Sequence, residues 1–288
     1  MWVIILGFGI AVTAVLGPLV LGVVRLRTSA SAELQVEGVD VAALLIVAPL
    51  CLTIGVLAMR GHRAASLFAL APAVFAGYTY SQIFLGNEFG TRPGNIERFF
   101  PLYAGLFMIS VAVAIRAWQQ IDAGSLGLPS RQRNVLGWLL LAVAVFVLVG
   151  IHARPYADAM STAHQSDAYV GAPTAFWIVK FWDLAIVVPA AVVVGIGLLR
   201  GQDRAVKPGL AIVGGYVLLA SSVTAMALRM YVGGDPDASM GLIVGSAVLT
   251  LAGAVVTVGL YRTALRSGPS YRGLVTSAGR PGDAAPEQ

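Results

Sequence analysis

Asp183 and Lys180 stand three residues apart inside Thr174 to Leu199, a run that is otherwise almost wholly apolar. On a helix that spacing places both side chains on one face, where opposite charges can neutralise each other. A desolvated carboxyl beside a cation can bind a small charged group, or act as general acid or base. Lys180, Trp177 and Trp182 also fit an aromatic belt with a snorkelling lysine. Asp183 does not, because its side chain is too short to reach the water from that depth.

A count of depth gathers further candidates. At 1.5 Å rise per residue, Asp183 lies about 25 Å from Arg200, Gln82 about 25 Å from Ala65, and Arg229 about 30 Å from Gly209. Tyr78 and Tyr80 lie just below Gln82, His152 closes its own apolar run, and Glu88 stands in the adjoining loop. Asp183, Lys180, Arg229, Tyr78, Tyr80, Gln82, Glu88 and His152 are therefore the ligand-binding candidates, all expected near the outer boundary of a bilayer. The opposite half of the membrane depth shows no comparable set in the sequence. The sequence leaves catalytic residues and any cofactor open.

The elements that must carry them are membrane helices. Of the 288 residues 58% are hydrophobic and 11% charged, against roughly 25% charged in soluble domains. The apolar residues fall into runs near the ~20 residues that cross about 30 Å of hydrocarbon. The runs 2–24, 41–59, 65–85, 99–118, 135–153, 174–199, 209–231 and 240–261 predict an all-α polytopic bundle of about eight spans. Ala30-Ser31-Ala32 resembles a signal cleavage site, but no basic residue precedes the first run, which reads as a span. Residues 1–261 form the bundle in this reading, and 262–288, rich in Ser, Gly, Pro and Arg, are expected to be a disordered cytoplasmic tail.

Charge sets the orientation. With the N-terminus inside, the inner segments collect twelve basic residues against four acidic, and the outer segments seven basic against ten acidic. The positive-inside bias therefore selects both termini inside, with Arg25 and Arg27 as the dissent. The basic balance reads as topology and contact with lipid, with no role for nucleic acid. Only two of the nineteen basic residues are lysine, which points to a GC-rich genome and a bacterial cytoplasmic membrane.

Interior prolines at Pro18, Pro49, Pro72 and Pro189 predict kinks. Gly241 and Gly245 are spaced for a close helix crossing. The turns Gly86-Asn87-Glu88 and Gly233-Gly234-Asp235 are alike, but two short turns do not establish an internal repeat. The single cysteine, Cys51, permits no disulfide within the chain. His152, His164, Asp158 and Asp167 match no compact metal site, so no metal is expected. Nucleotide-binding, metalloprotease and serine-hydrolase motifs are absent.

Two stretches, Tyr78-Thr79-Tyr80 through Phe99-Phe100-Pro101-Leu102-Tyr103-Ala104, and Asp183-Leu184-Ala185-Ile186-Val187-Val188-Pro189 leading to Leu198-Leu199-Arg200, resemble a group of multi-spanning bacterial membrane proteins. The resemblance covers about the third to the seventh span. It implies an all-helical membrane fold and carries no activity, and the segment Gly90 to Asn95 is longer than the resemblance would give. Three functions follow from the residues: binding, less readily transport, of a small polar or amphipathic ligand at the outer polar level; intramembrane chemistry on a lipid or quinone-like substrate with Asp183 or Glu88 as acid or base; or a structural subunit whose Gly241 and Gly245 face another membrane protein.

Overall fold

The computed structural model describes residues 1–121, 126–161 and 167–266. Among the described residues eight main helices follow one another: α1 Trp2–Leu16, α2 Ala30–Met59, α3 Ala65–Leu85, α4 Phe100–Gln120 led by a tight turn Ile96–Phe99, α5 Ser130–Met160, α6 Pro173–Leu199, α7 Asp203–Val232 and α8 Met240–Arg266, with a short helix Asp167–Gly171 ahead of α6. No strand occurs among the described residues. Seven of the helices are long and apolar enough to cross a membrane, and α1 is a shorter apolar helix. The chain is an all-α, multi-pass membrane protein.

The first span is shorter than its apolar run. The residue before a proline is disfavoured in helical conformation, and Gly17, before Pro18, takes an extended backbone that ends α1 at Leu16. The chain then runs irregularly to Ser29, with Val24 and Leu26 buried against the bundle. Non-helical backbone is tolerated at membrane depth where protein covers it. Conversely, α2 starts at Ala30 instead of 41, because Ser29 caps it by accepting the Ala32 N–H. Asp40 is thereby carried inside the bundle. Helix α8 continues to Arg266, so the first residues of the expected tail are helical, and the rest of the tail lies outside the described residues.

Three helices contain a widened turn: Ala43–Val47 in α2, Phe146–Ala153 in α5 and Asp183–Val187 in α6. Each ends shortly before a proline, Pro49, Pro155 or Pro189. Proline has no N–H and its ring crowds the carbonyl four residues back. In α2 and α6 the preceding residue shifts its bond, Ala48 donating to the Ala43 carbonyl and Val188 to that of Asp183, five residues back. Such insertions recur at functional sites.

The succession also occurs twice. A wide turn, a proline and a 12-residue helical stretch end at Arg60-Gly61 in α2 and at Arg200-Gly201 in α6, where each glycine takes a left-handed φ, +69° and +76°. Helix α1 packs on the second half of α2, with Gly7 and Gly55 at the contact. Helix α5 packs on the second half of α6 through Gly137 and Gly195. Between the halves, α3 meets the first part of α6, α7 meets the first part of α2, and α3 meets α7. These pairings correspond between the two halves, whereas the contact of α1 with α4 has no counterpart of comparable extent between α5 and α8. The repeat that the turns alone did not establish lies in the prolines and the Arg-Gly ends.

At the end opposite the paired Arg-Gly turns, the segment after α1 is stitched to the 86–98 loop. Arg25 and Arg27 donate backbone N–H groups to the Asn95 and Asn87 side chains, at 2.7 and 2.6 Å. The Arg27 guanidinium grips Glu97, which stands ahead of α4 outside the span, through both carboxylate oxygens. These bonds occupy the Arg27 guanidinium, one of the two residues that dissent from the charge rule. The pair holds the Glu97 carboxyl down to about 2, the hydrogen bond from Arg27 being the main cause. A lowered carboxyl stabilises the fold above its ordinary value near 4.5 and loses that contribution as pH falls toward 2. The difference in Tm between wild type and Glu97→Gln is therefore expected to shrink across that interval, and to shrink at neutral pH in high salt, since the pair is exposed. A constant difference from pH 5 to 2 would contradict the assignment.

Candidate polar site between the two halves

Asp183 opens the wide turn of α6 and is 9% exposed. Its carboxylate accepts the Tyr78 hydroxyl of α3 at 2.5 Å and lies 2.8 Å from Nε2 of His152, near the end of the wide turn of α5. With the carboxylate as acceptor, that ring nitrogen is the donor. Gln82, one turn further along α3, lies beside the Tyr78 hydroxyl and interacts with it through a side-chain hydrogen bond. Tyr216 of α7 stands near the carboxylate and donates its hydroxyl to the Val187 carbonyl at 3.2 Å. The acid and histidine come from the second half of the chain, and Tyr78 and Gln82 from the first.

The expected Lys180–Asp183 pair is not formed. Lys180 is buried with its ammonium 3.1 Å from the centre of the Phe176 ring, a cation–π contact, while Asp183 turns to Tyr78 and His152. Arg229 reaches the expected height but is bound to Glu37 of α2, on the other interface between the halves. Tyr80 leaves α3 on the side away from Tyr78 and packs against Tyr103 of α4, 6.2 Å between ring centres. Glu88 accepts the N–H and hydroxyl of Thr174, at 2.6 and 2.8 Å, and so caps α6. Two residues were missed: Tyr216, a polar tip within an apolar run, and Asp40, placed just outside the membrane by the apolar run that starts at Val41.

Trp182 links the polar set to an apolar surface. Its ring stands edge-on to Tyr78, 6.3 Å between centres. It also lines a cleft of about 250 Å³ with Tyr80, Phe84, Phe100, Tyr103 and Ala104. Trp177 instead joins Tyr156, Tyr169 and Phe176 in a ring cluster, as an aromatic belt would.

No family model, curated protein or solved structure matches the chain. The geometry therefore stands by itself. The arrangement can hold a polar group at Gln82 and Tyr78, orient it against a carboxylate–histidine pair, and receive an apolar chain beside Trp182.

A larger cavity, about 760 Å³, opens at the arginine-rich end and is lined by His62, Arg63, Arg116, Gln120 and Met1 among others. That end is less barren than the sequence indicates, although Ile121 and Leu126 in its wall flank residues outside the description.

Gly241 and Gly245 make no close crossing among the described residues. A Cβ on Gly245 would meet open space, and one on Gly241 only the Ser239 hydroxyl at 3.9 Å. Helix α8 is an edge helix packed on α7. Gly245→Leu is accordingly expected to leave Tm within the small range of surface substitutions, about 0.5 kcal/mol, and a large drop would place Gly245 at an interface.

Proposed function

We propose that the protein binds a small amphipathic ligand at the Asp183–His152–Tyr78–Gln82 set, with its apolar part in the cleft beside Trp182. The observation that carries this reading is the buried Asp183 carboxylate held between Tyr78 and His152, with Gln82 beside them and the apolar cleft at Trp182 next to the set. Intramembrane ionisable groups held in a hydrogen-bonded set between helices mark ligand or ion pathways. The adjoining apolar cleft favours an amphipathic ligand over a purely polar one. In this proposal the arginine-rich end faces the cytoplasm of a bacterial cell, as the charge bias supports. The hydrogen-bonded series His152, Asp183, Tyr78 supports a second reading, proton transfer to a lipid or quinone-like substrate held in the same place.

The test is equilibrium binding of a fatty acid, a lysophospholipid and a short-chain quinone to the protein in nanodiscs. Asp183→Asn, which alters the polar end, and Ala104→Trp, which fills the cleft, are each expected to weaken binding of at least one probe tenfold. Equal affinities in wild type and both variants for every probe would contradict the proposal. Conversion of a bound probe, lost in Asp183→Asn, would move the assignment to the second reading.

A further inference from the structure

Asp40 lies ten residues inside α2 and is 2% exposed, and its Oδ2 has no hydrogen-bond partner. Beside it α1 breaks. Pro18 has no N–H to return to the Ala14 carbonyl, the Gly17 N–H goes to Thr13, and Leu21, Gly22 and Val24 donate to Val15, Gly17 and Leu16. The Ala14 carbonyl is thus the one that the end of α1 leaves without a backbone donor, and Ala14 is fully buried. Both free oxygens face one spot: the point where a Cβ on Gly17 would lie is 2.5 Å from Asp40 Oδ2 and 3.3 Å from the Ala14 oxygen. Two buried acceptors converge with no donor between them.

Among the described residues the surroundings supply no free cation. On α2, Glu37 is engaged by Arg229 of α7. From α3 comes Tyr80, fully buried, with an unpartnered hydroxyl and Cys51 nearby, and from α4 comes Tyr103. Helix α1 offers no titratable side chain there, and Arg27 of the following segment is held by Glu97. A bare carboxylate in such a place is far more costly than a neutral carboxylic acid, which is both uncharged and a donor.

We propose that Asp40 is a proton-binding site, whose carboxyl in this conformation carries a proton from the aqueous phase and presents it to the Ala14 carbonyl at the broken end of α1. Loss of the proton to water leaves a carboxylate opposite that carbonyl. The two oxygens then repel, and the Tyr80 hydroxyl becomes the donor that Asp40 lacks, so deprotonation favours separation of α1 from α2. The second half carries an ionisable group of the opposite sign at the matching place. Asp40 stands three residues before the wide turn of α2, and Lys180 three residues before that of α6. The site does not depend on the ligand reading above, since Tyr78, His152 and Asp183 take no part in it.

Infrared spectroscopy of the full chain in nanodiscs at neutral pH tests the proposal through the carbonyl stretch of a protonated carboxylic acid. That band is expected in wild type and in Asp183→Asn, to be missing in Asp40→Asn, and to fade from wild type at alkaline pH. Asp40→Glu, which keeps the acid should the Asn variant fail to assemble, is expected to shift the band. No band altered by either substitution would overturn the proposal. So would a rise in Tm with sodium, relative to choline, that Asp40→Asn abolishes, because the site would then hold a metal cation.

Discussion

Gly38→Ala is expected to be the most damaging single-methyl change in the protein. Helix α2 approaches α7 so closely at this residue that an added Cβ would lie 2.4 and 2.5 Å from the Met226 Cα and N. Backbone atoms cannot swing aside as a side chain can, so the helices must separate, which also strains the Glu37–Arg229 pair. Overpacking of this kind costs about 3 kcal/mol, or a fall in Tm on the order of 5–10 °C for a chain of this size. Helix propensity acts the other way, alanine being favoured over glycine by about 1 kcal/mol. The control is Gly259→Ala, where the new methyl meets open space and Tm should hold or rise. If Gly38→Ala proves as stable as the control, the α2–α7 packing is wrong.

The second large effect is expected at Asp183, and there the choice of substitution decides the sign of the lesson. Asp183→Ala strips the acceptor from both the Tyr78 hydroxyl and His152 Nε2. Interhelical hydrogen bonds in bilayers average about 0.6 kcal/mol, but a buried donor left without any acceptor costs roughly 1–3 kcal/mol. Two such donors put the loss at about 2–6 kcal/mol. Asp183→Asn keeps the shape, its carbonyl accepting from Tyr78 and its amide donating to a neutral His152, and should cost less than about 1 kcal/mol. Thermal melts of wild type, both Asp183 variants, Tyr78→Phe and the double variant of Asp183→Ala with Tyr78→Phe check this. A loss in the double variant equal to the two single losses added together would show that Tyr78 and Asp183 are not partners.

These contacts mark where a reading of the sequence succeeds and where it stops. Apolar runs located the long helices because hydrocarbon thickness fixes their length. Depth along a helix was equally legible: Asp183, Tyr78, Gln82 and His152 do meet at one level. Direction around the helix was not. Tyr78 and Tyr80 are two residues apart, so at about 100° per residue they point to opposite sides, one to Asp183 and the other toward Tyr103 and Asp40. Arg229 has the right height and the wrong side for the same reason. Widened turns add to the difficulty, because each inserts an extra residue and rotates everything before it. Their signal is the proline that follows, together with the register of 140 that relates Pro49 to Pro189, Gly55 to Gly195 and Arg60-Gly61 to Arg200-Gly201. Asp40 escaped because hydropathy begins at Val41, whereas the helix begins where Ser29 can cap it.

The central claim is that the polar set between the halves holds a ligand. Native mass spectrometry of the protein released from nanodiscs, wild type beside Asp183→Asn, tests it most directly, since the variant is expected to keep the fold. The expected result is a small molecule retained by wild type and absent from the variant. The same bound mass in both proteins, or none in either, would contradict the claim, and a second protein chain bound equally to both would mark the molecule as an assembly subunit.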